Sequence, residues 1–162
     1  MKKLIISAVA ALGLAACVDI IPPAVLLGDV QLPVVGEETV WKSTDYQGKP
    51  VFIIFMASWC PHCQHAMPAV AALAEEFGDQ VEFVGAFVDS DAEAVKIAAK
   101  EHGLTIKAVY DSSEVGQSLG VNGIPHAILF DKKHRALGDG RWEGFAPDLV
   151  DQYRAALKKV VK

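Results

Sequence analysis

The chain has 162 residues, of which 52% are hydrophobic and 22% charged, a composition that fits one globular domain and excludes a disordered or collagen-like chain. Its 15 basic residues are outnumbered by 20 acidic ones, so the formal net charge is -5. Because no basic stretch is long enough to neutralise a run of phosphates, we do not expect nucleic acid as a partner. Its three cysteines are too few for a disulfide-stapled scaffold.

The N-terminus has the pattern of an export signal. The chain begins Met-Lys-Lys, and residues 4–16 form an uncharged stretch that is too short to span a bilayer but suits a signal-peptide core. Residues 14–17, Leu-Ala-Ala-Cys, resemble the lipobox of bacterial lipoproteins, which implies a signal peptide over 1–16 and a lipid on Cys17. The alternatives are an ordinary signal peptide with an incidental cysteine nearby, or a core strand.

The segment after Cys17 is predicted to connect the lipid to the folded domain. In the lipoprotein family an aspartate directly after the cysteine commonly signals retention in the inner membrane. Here Val18 takes that position and Asp19 follows it, so the resemblance favours the outer membrane. Residues 17–33 contain prolines and no helical period, which predicts a tether before a domain over 34–162.

The remaining chain alternates between strand and helix patterns. Residues 51–57 form an unbroken apolar run, typical of a central strand covered on both faces. A helical pattern follows over 61–77, which Pro68 should bend and Gly78 should end. The other predicted elements are strands over 81–88, 106–110, 127–130 and 135–142, and helices over 92–102, 113–119 and 147–160. This order predicts an α/β fold with helices on both faces of the sheet.

A cysteine pair lies at the junction of the first predicted strand and helix, in residues 59–63, Trp-Cys-Pro-His-Cys. Pro68 follows five residues later, and residues 123–125, Gly-Ile-Pro, precede another predicted strand. These features resemble the thioredoxin fold, which implies a thioredoxin-like α/β architecture with a central mixed sheet. Three further features make the chain most similar to the TlpA and ResA branch of periplasmic thiol-disulfide oxidoreductases: the export signal, Gly-Lys-Pro at residues 48–50 and Val-Asp-Ser at residues 88–90. The resemblance covers roughly residues 33–160.

Disulfide exchange needs one accessible thiolate and a second thiol close behind it, and a C-x-x-C pair at a helix start supplies both. Cys60 is the predicted nucleophile at an exposed helix end, where backbone N–H groups and the helix dipole favour its anion. Cys63, one turn further in, is the predicted buried resolving thiol and forms the redox disulfide with Cys60. Pro61 removes an N–H that would be unpaired and preorganises the first turn.

His62 bears on the direction of the reaction. A Pro-His pair between the cysteines is also found in DsbA, a strong oxidant whose potential lies about 150 mV above that of thioredoxin. His62 is therefore predicted to help hold the Cys60 thiolate. The alternative is a solvated residue at the helix start with no influence on the sulfur.

The resemblance also implies three substrate-contacting residues. Pro125 is expected opposite Cys60 with a cis bond before it, and Ile124 would offer backbone hydrogen bonds to an extended substrate. The alternative is an ordinary trans turn before the strand. Trp59 is expected to pack beside the disulfide.

One departure from the thioredoxin pattern affects the second thiol. Thioredoxin has an acid six positions before its first active-site cysteine, and here that position is Ile54. The buried proton acceptor of thioredoxin is therefore absent. Glu75, Glu76 and Asp89 are available acids, but the sequence places none of them beside Cys63.

The predicted function is a membrane-anchored, periplasm-facing thiol-disulfide oxidoreductase that acts on protein thiols or disulfides without a cofactor. Its direction stays open: the TlpA and ResA likeness favours a reductant supplied by a membrane electron-transfer thiol oxidoreductase, whereas the Pro-His pair favours an oxidant. One alternative is a protein that handles copper or another metal, and the candidate ligands are Cys60, Cys63, His62, His65 and His126. No bound metal is expected, since no second C-x-x-C exists to close a structural zinc site. A non-enzymatic surface lipoprotein is the other alternative.

Overall fold

The computed structural model describes residues 24–162, so the predicted signal peptide and Cys17 lie outside the described residues. The strands are β1 (Gln31–Pro33), β2 (Val40–Lys42), β3 (Val51–Met56), β4 (Glu82–Phe87), β5 (Lys107–Val109), β6 (His126–Phe130) and β7 (Ala136–Glu143). The α-helices are α1 (Pro61–Phe77), α2 (Ala92–Glu101), α3 (Ser113–Ser118) and α4 (Pro147–Val160). A 3-10 helix covers Ser43–Tyr46.

The central sheet has five strands in the order β5-β4-β3-β6-β7. Its middle strand, β3, pairs parallel with β4 and antiparallel with β6, so the sheet is mixed. All six residues of β3 are buried, as expected for an apolar strand that is covered on both faces. The predicted α/β fold with a central mixed sheet is confirmed.

Two hydrophobic cores lie on opposite faces of this sheet. The first contains Phe52, Ile54 and Met56 of β3 together with residues of α1, α2 and α4. There the ring of Tyr153 packs edge-on against Phe52 and Trp142. The second core contains the alternate residues of β3 and is covered in part by the short helix α3. Helices therefore lie on both faces: three helices cover the first face, and one short helix covers part of the second.

An N-terminal segment completes the cover of the second face. Leu27, Val30 and Leu32 are buried in the second core, and β1 pairs antiparallel with β2. The prediction of a tether over 17–33 is therefore wrong for residues 26–33, because the apolar face beside the short helix α3 needs this segment as cover. The folded part of the chain begins before residue 34.

The elements predicted from residue 51 onward are confirmed to within one residue at each end. Helix α1 continues through Pro68, and Gly78 is its C-cap residue. The strands β1 and β2 and the 3-10 helix were not predicted. Among residues 24–162, no helix has both the length and the apolar character needed to cross a bilayer.

Candidate active site

The two cysteines lie where β3 gives way to α1. Cys60 is the N-cap residue of α1, with extended backbone angles of φ -90° and ψ 115°, and Pro61 is at the first helical position. Proline suits this position because its φ is already helical and it brings no unpaired N–H. The helix therefore begins inside the Cys-Pro-His-Cys run and holds both cysteines at its N-terminal end.

Cys60 and Cys63 are both free thiols, and they differ in burial. Cys60 is 7% exposed and Cys63 is 0% exposed. The expectation of an openly exposed Cys60 is wrong, because its side chain packs at the edge of the first core. Trp59 is 68% exposed instead, so it lies on the surface beside the site and is not packed as expected. A small part of Cys60 remains accessible, and Cys63 lies wholly behind it.

The environment of Cys63 disfavours its ionisation. Burial raises the pKa of the Cys63 thiol, and a hydrogen bond with Cys60 acts in the same direction. The negative charge of Asp89 adds to the rise, whereas a hydrogen bond with the backbone of Ala57 opposes it. Cys63 is therefore a neutral thiol near pH 7 when the pair is reduced.

The turn between β3 and α1 is tied to the end of β4. The Ser58 N–H donates to Asp89 Oδ2 at 3.0 Å, and the Ser58 hydroxyl donates to Asp89 Oδ1. On the other side, the Gln64 amide donates to the Ser58 carbonyl at 2.8 Å. Sequence reasoning named Asp89 as an available acid but missed this contact, which joins residues 31 positions apart.

The second predicted part of the site is the loop before β6. The Ile124-Pro125 bond is cis, as predicted. Pro125 is buried, and the residue after it, His126, pairs with Phe55 near the end of β3. This register brings the loop to the end of the sheet where the cysteines lie. Ile124 forms no backbone hydrogen bond with the described residues, which leaves its N–H and carbonyl available.

A cavity of about 260 Å³ adjoins this loop. Its walls come from the end of β4, from α3 and from residues 121–124, and they include Val88, Gln117 and Ile124. None of the lining residues is charged. The cavity therefore has room for an uncharged side chain next to the free backbone of Ile124.

The predicted imidazole ligands do not gather around the cysteines. His62 and His65 are exposed on α1. His126 is buried on the Phe55 side of the sheet, opposite α1, and burial, followed by the charge of Arg141, lowers its pKa. No group of three histidine, cysteine or acidic side chains among residues 24–162 could hold a metal ion. The metal-handling alternative therefore has no support.

Comparison with known sequences gives a family match. The redoxin family model matches residues 26–138 of the chain. A curated relative, the thiol-disulfide oxidoreductase ResA of Bacillus thuringiensis subsp. konkukian (strain 97-27), is 28% identical over 118 residues, which cover 72% of this chain and 66% of that protein. The chain thus spans slightly less than two thirds of the length of this relative.

Solved structures share the fold. A putative thiol:disulfide interchange protein DsbE from Chlorobium tepidum superposes with a TM-score of 0.78 at 19% identity, covering 86% of this chain and 97% of that one. The exposed lipoprotein thioredoxin Etrx1 of Streptococcus pneumoniae strain TIGR4 gives a TM-score of 0.66 at 24% identity, covering 81% and 98%. These likenesses, together with the sheet order and the cis-proline loop, confirm the thioredoxin-like fold.

The unequal burial of the cysteines predicts unequal alkylation. In the reduced protein at about pH 8, iodoacetamide should modify Cys60 at least about tenfold faster than Cys63, whose thiol is fully buried and has a raised pKa. Peptide mass spectrometry of time points gives both rates. In urea the two rates should converge. Equal rates in the folded protein would contradict the burial described here.

Proposed function

Because the chain belongs to the redoxin family, we propose that it is a thiol-disulfide oxidoreductase that exchanges disulfides with protein substrates through Cys60 and Cys63. The observation that carries the proposal is the pair of thiols at the start of α1, one at the surface edge and one fully buried behind it. The likeness to ResA and to a putative DsbE supports it, since both names describe thiol-disulfide exchange.

The proposed reaction has two exchanges. The Cys60 thiolate attacks a substrate disulfide, so that a Cys60–substrate disulfide forms and the other substrate sulfur leaves as a thiolate and takes up a proton. Cys63 then loses its proton and attacks the Cys60 sulfur, which forms the Cys60–Cys63 disulfide and releases the second substrate sulfur. Two electrons pass from the dithiol to the substrate. The reverse sequence introduces a disulfide into a dithiol substrate.

The local structure gives each cysteine its part in this reaction. Cys60 lies at the N-cap of α1 with part of its side chain accessible, and Pro61 presets the first helical turn. Burial keeps Cys63 protonated, so it does not compete with Cys60 for the substrate. Cys63 acts only once a disulfide has formed on its neighbour.

Substrate contact is proposed at Ile124, Pro125 and Trp59. The free backbone N–H and carbonyl of Ile124 suit pairing with an extended substrate strand. Pro125 has no N–H and so presents no donor to the sulfurs. The exposed ring of Trp59 offers apolar surface directly beside Cys60.

We further propose that the protein is exported and held by a lipid on Cys17 at a periplasm-facing membrane surface, where a membrane electron-transfer thiol oxidoreductase would serve it. The lipobox-like residues 14–17 support this, as does the likeness to a pneumococcal protein described as an exposed lipoprotein. Cleavage after residue 16 would leave a short linker before the folded part. The expectation of the outer membrane gains no support from these likenesses.

The two thiols should behave differently in a trapping experiment. With insulin as the disulfide substrate, Cys63→Ala should accumulate a Cys60–insulin mixed disulfide, because the thiol that resolves it is missing. Cys60→Ala should trap little or none, since Cys63 is fully buried. Non-reducing gels and mass spectrometry measure both adducts. Equal trapping by the two variants would contradict the assigned roles.

The residue between Pro61 and Cys63 should influence the reduction potential. Replacing Pro61-His62 with Gly-Pro should lower the potential by some tens of millivolts, since whatever favours the Cys60 thiolate favours the reduced form, and its loss favours the disulfide. Equilibration with glutathione buffers measures the shift. The control is His65→Gln, which changes an exposed histidine one turn further along α1. A potential that stays unchanged in the Gly-Pro variant would remove the case for an oxidising site.

The proposed anchor is tested at Cys17. Cys17→Ala should release the protein from membranes or block its processing, because the lipid has no other attachment point in the lipobox-like sequence. Thiol exchange in the folded part should be unchanged. Membrane fractionation and mass spectrometry of the mature N-terminus check this. An unmodified N-terminus at another residue in the wild-type protein would refute it.

A further inference from the structure

We infer that Asp89 is the base that takes the proton from Cys63 when the mixed disulfide is resolved. This inference rests on the proposed function of the Cys60 and Cys63 pair. The step is the deprotonation of Cys63. In thioredoxin a buried acid serves this step, but here its position is occupied by Ile54, which has no titratable group. A thiol that is fully buried needs such a base, because solvent does not reach its proton.

The geometry of the turn brings Asp89 to this thiol. Strand β4 lies beside β3, and the Val88 N–H donates to the Met56 carbonyl at 2.9 Å, so the ends of the two strands stay in register. Asp89 therefore lies next to the turn that starts at Ala57. Cys63 is buried in the same core as Ala57, and the Asp89 carboxylate accepts from the N–H of the next residue, Ser58. Cys63 and the Asp89 carboxylate thus adjoin neighbouring residues of one turn, and the charge of Asp89 acts on the Cys63 thiol.

Two contacts hold this arrangement in place. Both carboxylate oxygens of Asp89 accept from Ser58, one from its N–H and one from its hydroxyl. The Ser58 carbonyl accepts from the side chain of Gln64, the residue directly after Cys63. The turn therefore connects Asp89 to the helical turn that carries Cys63.

The other acids considered from the sequence lie elsewhere. Glu75 and Glu76 are 12 and 13 residues beyond Cys63 on the same helix, about 18 Å along its axis. Both are exposed, and Glu76 is paired with Arg154. On the segments that adjoin Asp89, the other acids and the histidine are exposed: Asp91, Glu93, Asp111, Glu114 and His62. Tyr110 is half-buried against the same core as Cys63, but it carries a phenol and not a carboxylate. Asp89 is half-buried, and its negative charge contributes to the raised pKa of the Cys63 thiol.

The S–H bond of Cys63 breaks and its proton passes to the Asp89 carboxylate. The Cys63 sulfur attacks the Cys60 sulfur, the Cys60–Cys63 bond forms, and the Cys60–substrate bond breaks. Its electron pair leaves with the substrate sulfur as a thiolate. Asp89 then returns the proton to that thiolate or to solvent.

Single-turnover kinetics with excess dithiobis(nitrobenzoate) test this step. In a Cys17→Ala background, which leaves Cys60 and Cys63 as the only thiols, the first thionitrobenzoate is released when Cys60 reacts and the second when Cys63 resolves the mixed disulfide. Asp89→Asn, which keeps the shape of the side chain, should slow the second release about 100-fold near pH 7 and leave the first unchanged. The deficit should shrink as the pH rises toward the raised pKa of Cys63, because a growing fraction of the thiol is then already ionised.

Three further variants separate this role from a structural one. Asp89→Glu keeps a carboxylate and should restore most of the second phase, whereas a purely structural role would leave Glu as harmful as Asn. Ser58→Ala removes the hydroxyl hydrogen bond to Asp89 but keeps the carboxylate, so it should slow the second phase less than Asp89→Asn does. Asp111→Asn removes an exposed charge next to Asp89 and should leave both phases within about a factor of two of the wild type.

The outcomes are distinguishable. An unchanged second phase in Asp89→Asn, or equal slowing of both phases, would overturn the role of Asp89. Failure of the proposed function has a different signature, since Cys63→Ala would then still release a second equivalent. Loss of the second phase in Cys63→Ala, together with its selective slowing in Asp89→Asn, is the expected result.

Discussion

The burial of β3 on both faces is the constraint on which the rest of the structure depends. Its six apolar residues alternate between two cores, so both faces of the sheet need cover. Helices α1, α2 and α4 cover one face, while α3 and the N-terminal segment cover the other. A strand buried in this way holds its C-terminal end firmly, and the turn to α1 starts from that end. The cysteines therefore lie on a rigid support at the rim of the sheet.

The chemical difference between the two thiols follows from the same packing. Cys60 caps α1 at the rim, whereas Cys63 lies one turn further toward the core that β3 helps to build. Burial thus separates one thiol that can meet a substrate from another that stays protonated behind it. The cis-proline loop reaches the same rim because β6 pairs with β3 in the register that sets His126 opposite Phe55. The site is a consequence of strand order as much as of the Cys-Pro-His-Cys sequence.

Local sequence patterns predicted most of this fold, and long-range contacts account for what they missed. Continuous apolar runs and helical periods fixed the elements from residue 51 onward, because each pattern reports burial within its own element. The strand β1 was missed since it is only three residues long and contains a proline, although Val30, Leu32 and Val34 do alternate with less buried neighbours. The outward position of Trp59 and the contact between Ser58 and Asp89 depend on how separate segments meet. No periodicity within one segment carries that information.

Ile54 stands where thioredoxin has an acid, and this difference affects the whole domain. Ile54 is fully buried in the same core as Cys63, where a carboxylate would lose hydration and would need partners that this apolar core does not supply. A carboxyl buried there would also couple stability to pH, since its pKa would differ between the folded and unfolded states. Asp89 instead lies at the rim, where Ser58 supplies two hydrogen bonds. With the proton acceptor at the rim, β3 is free to serve packing alone.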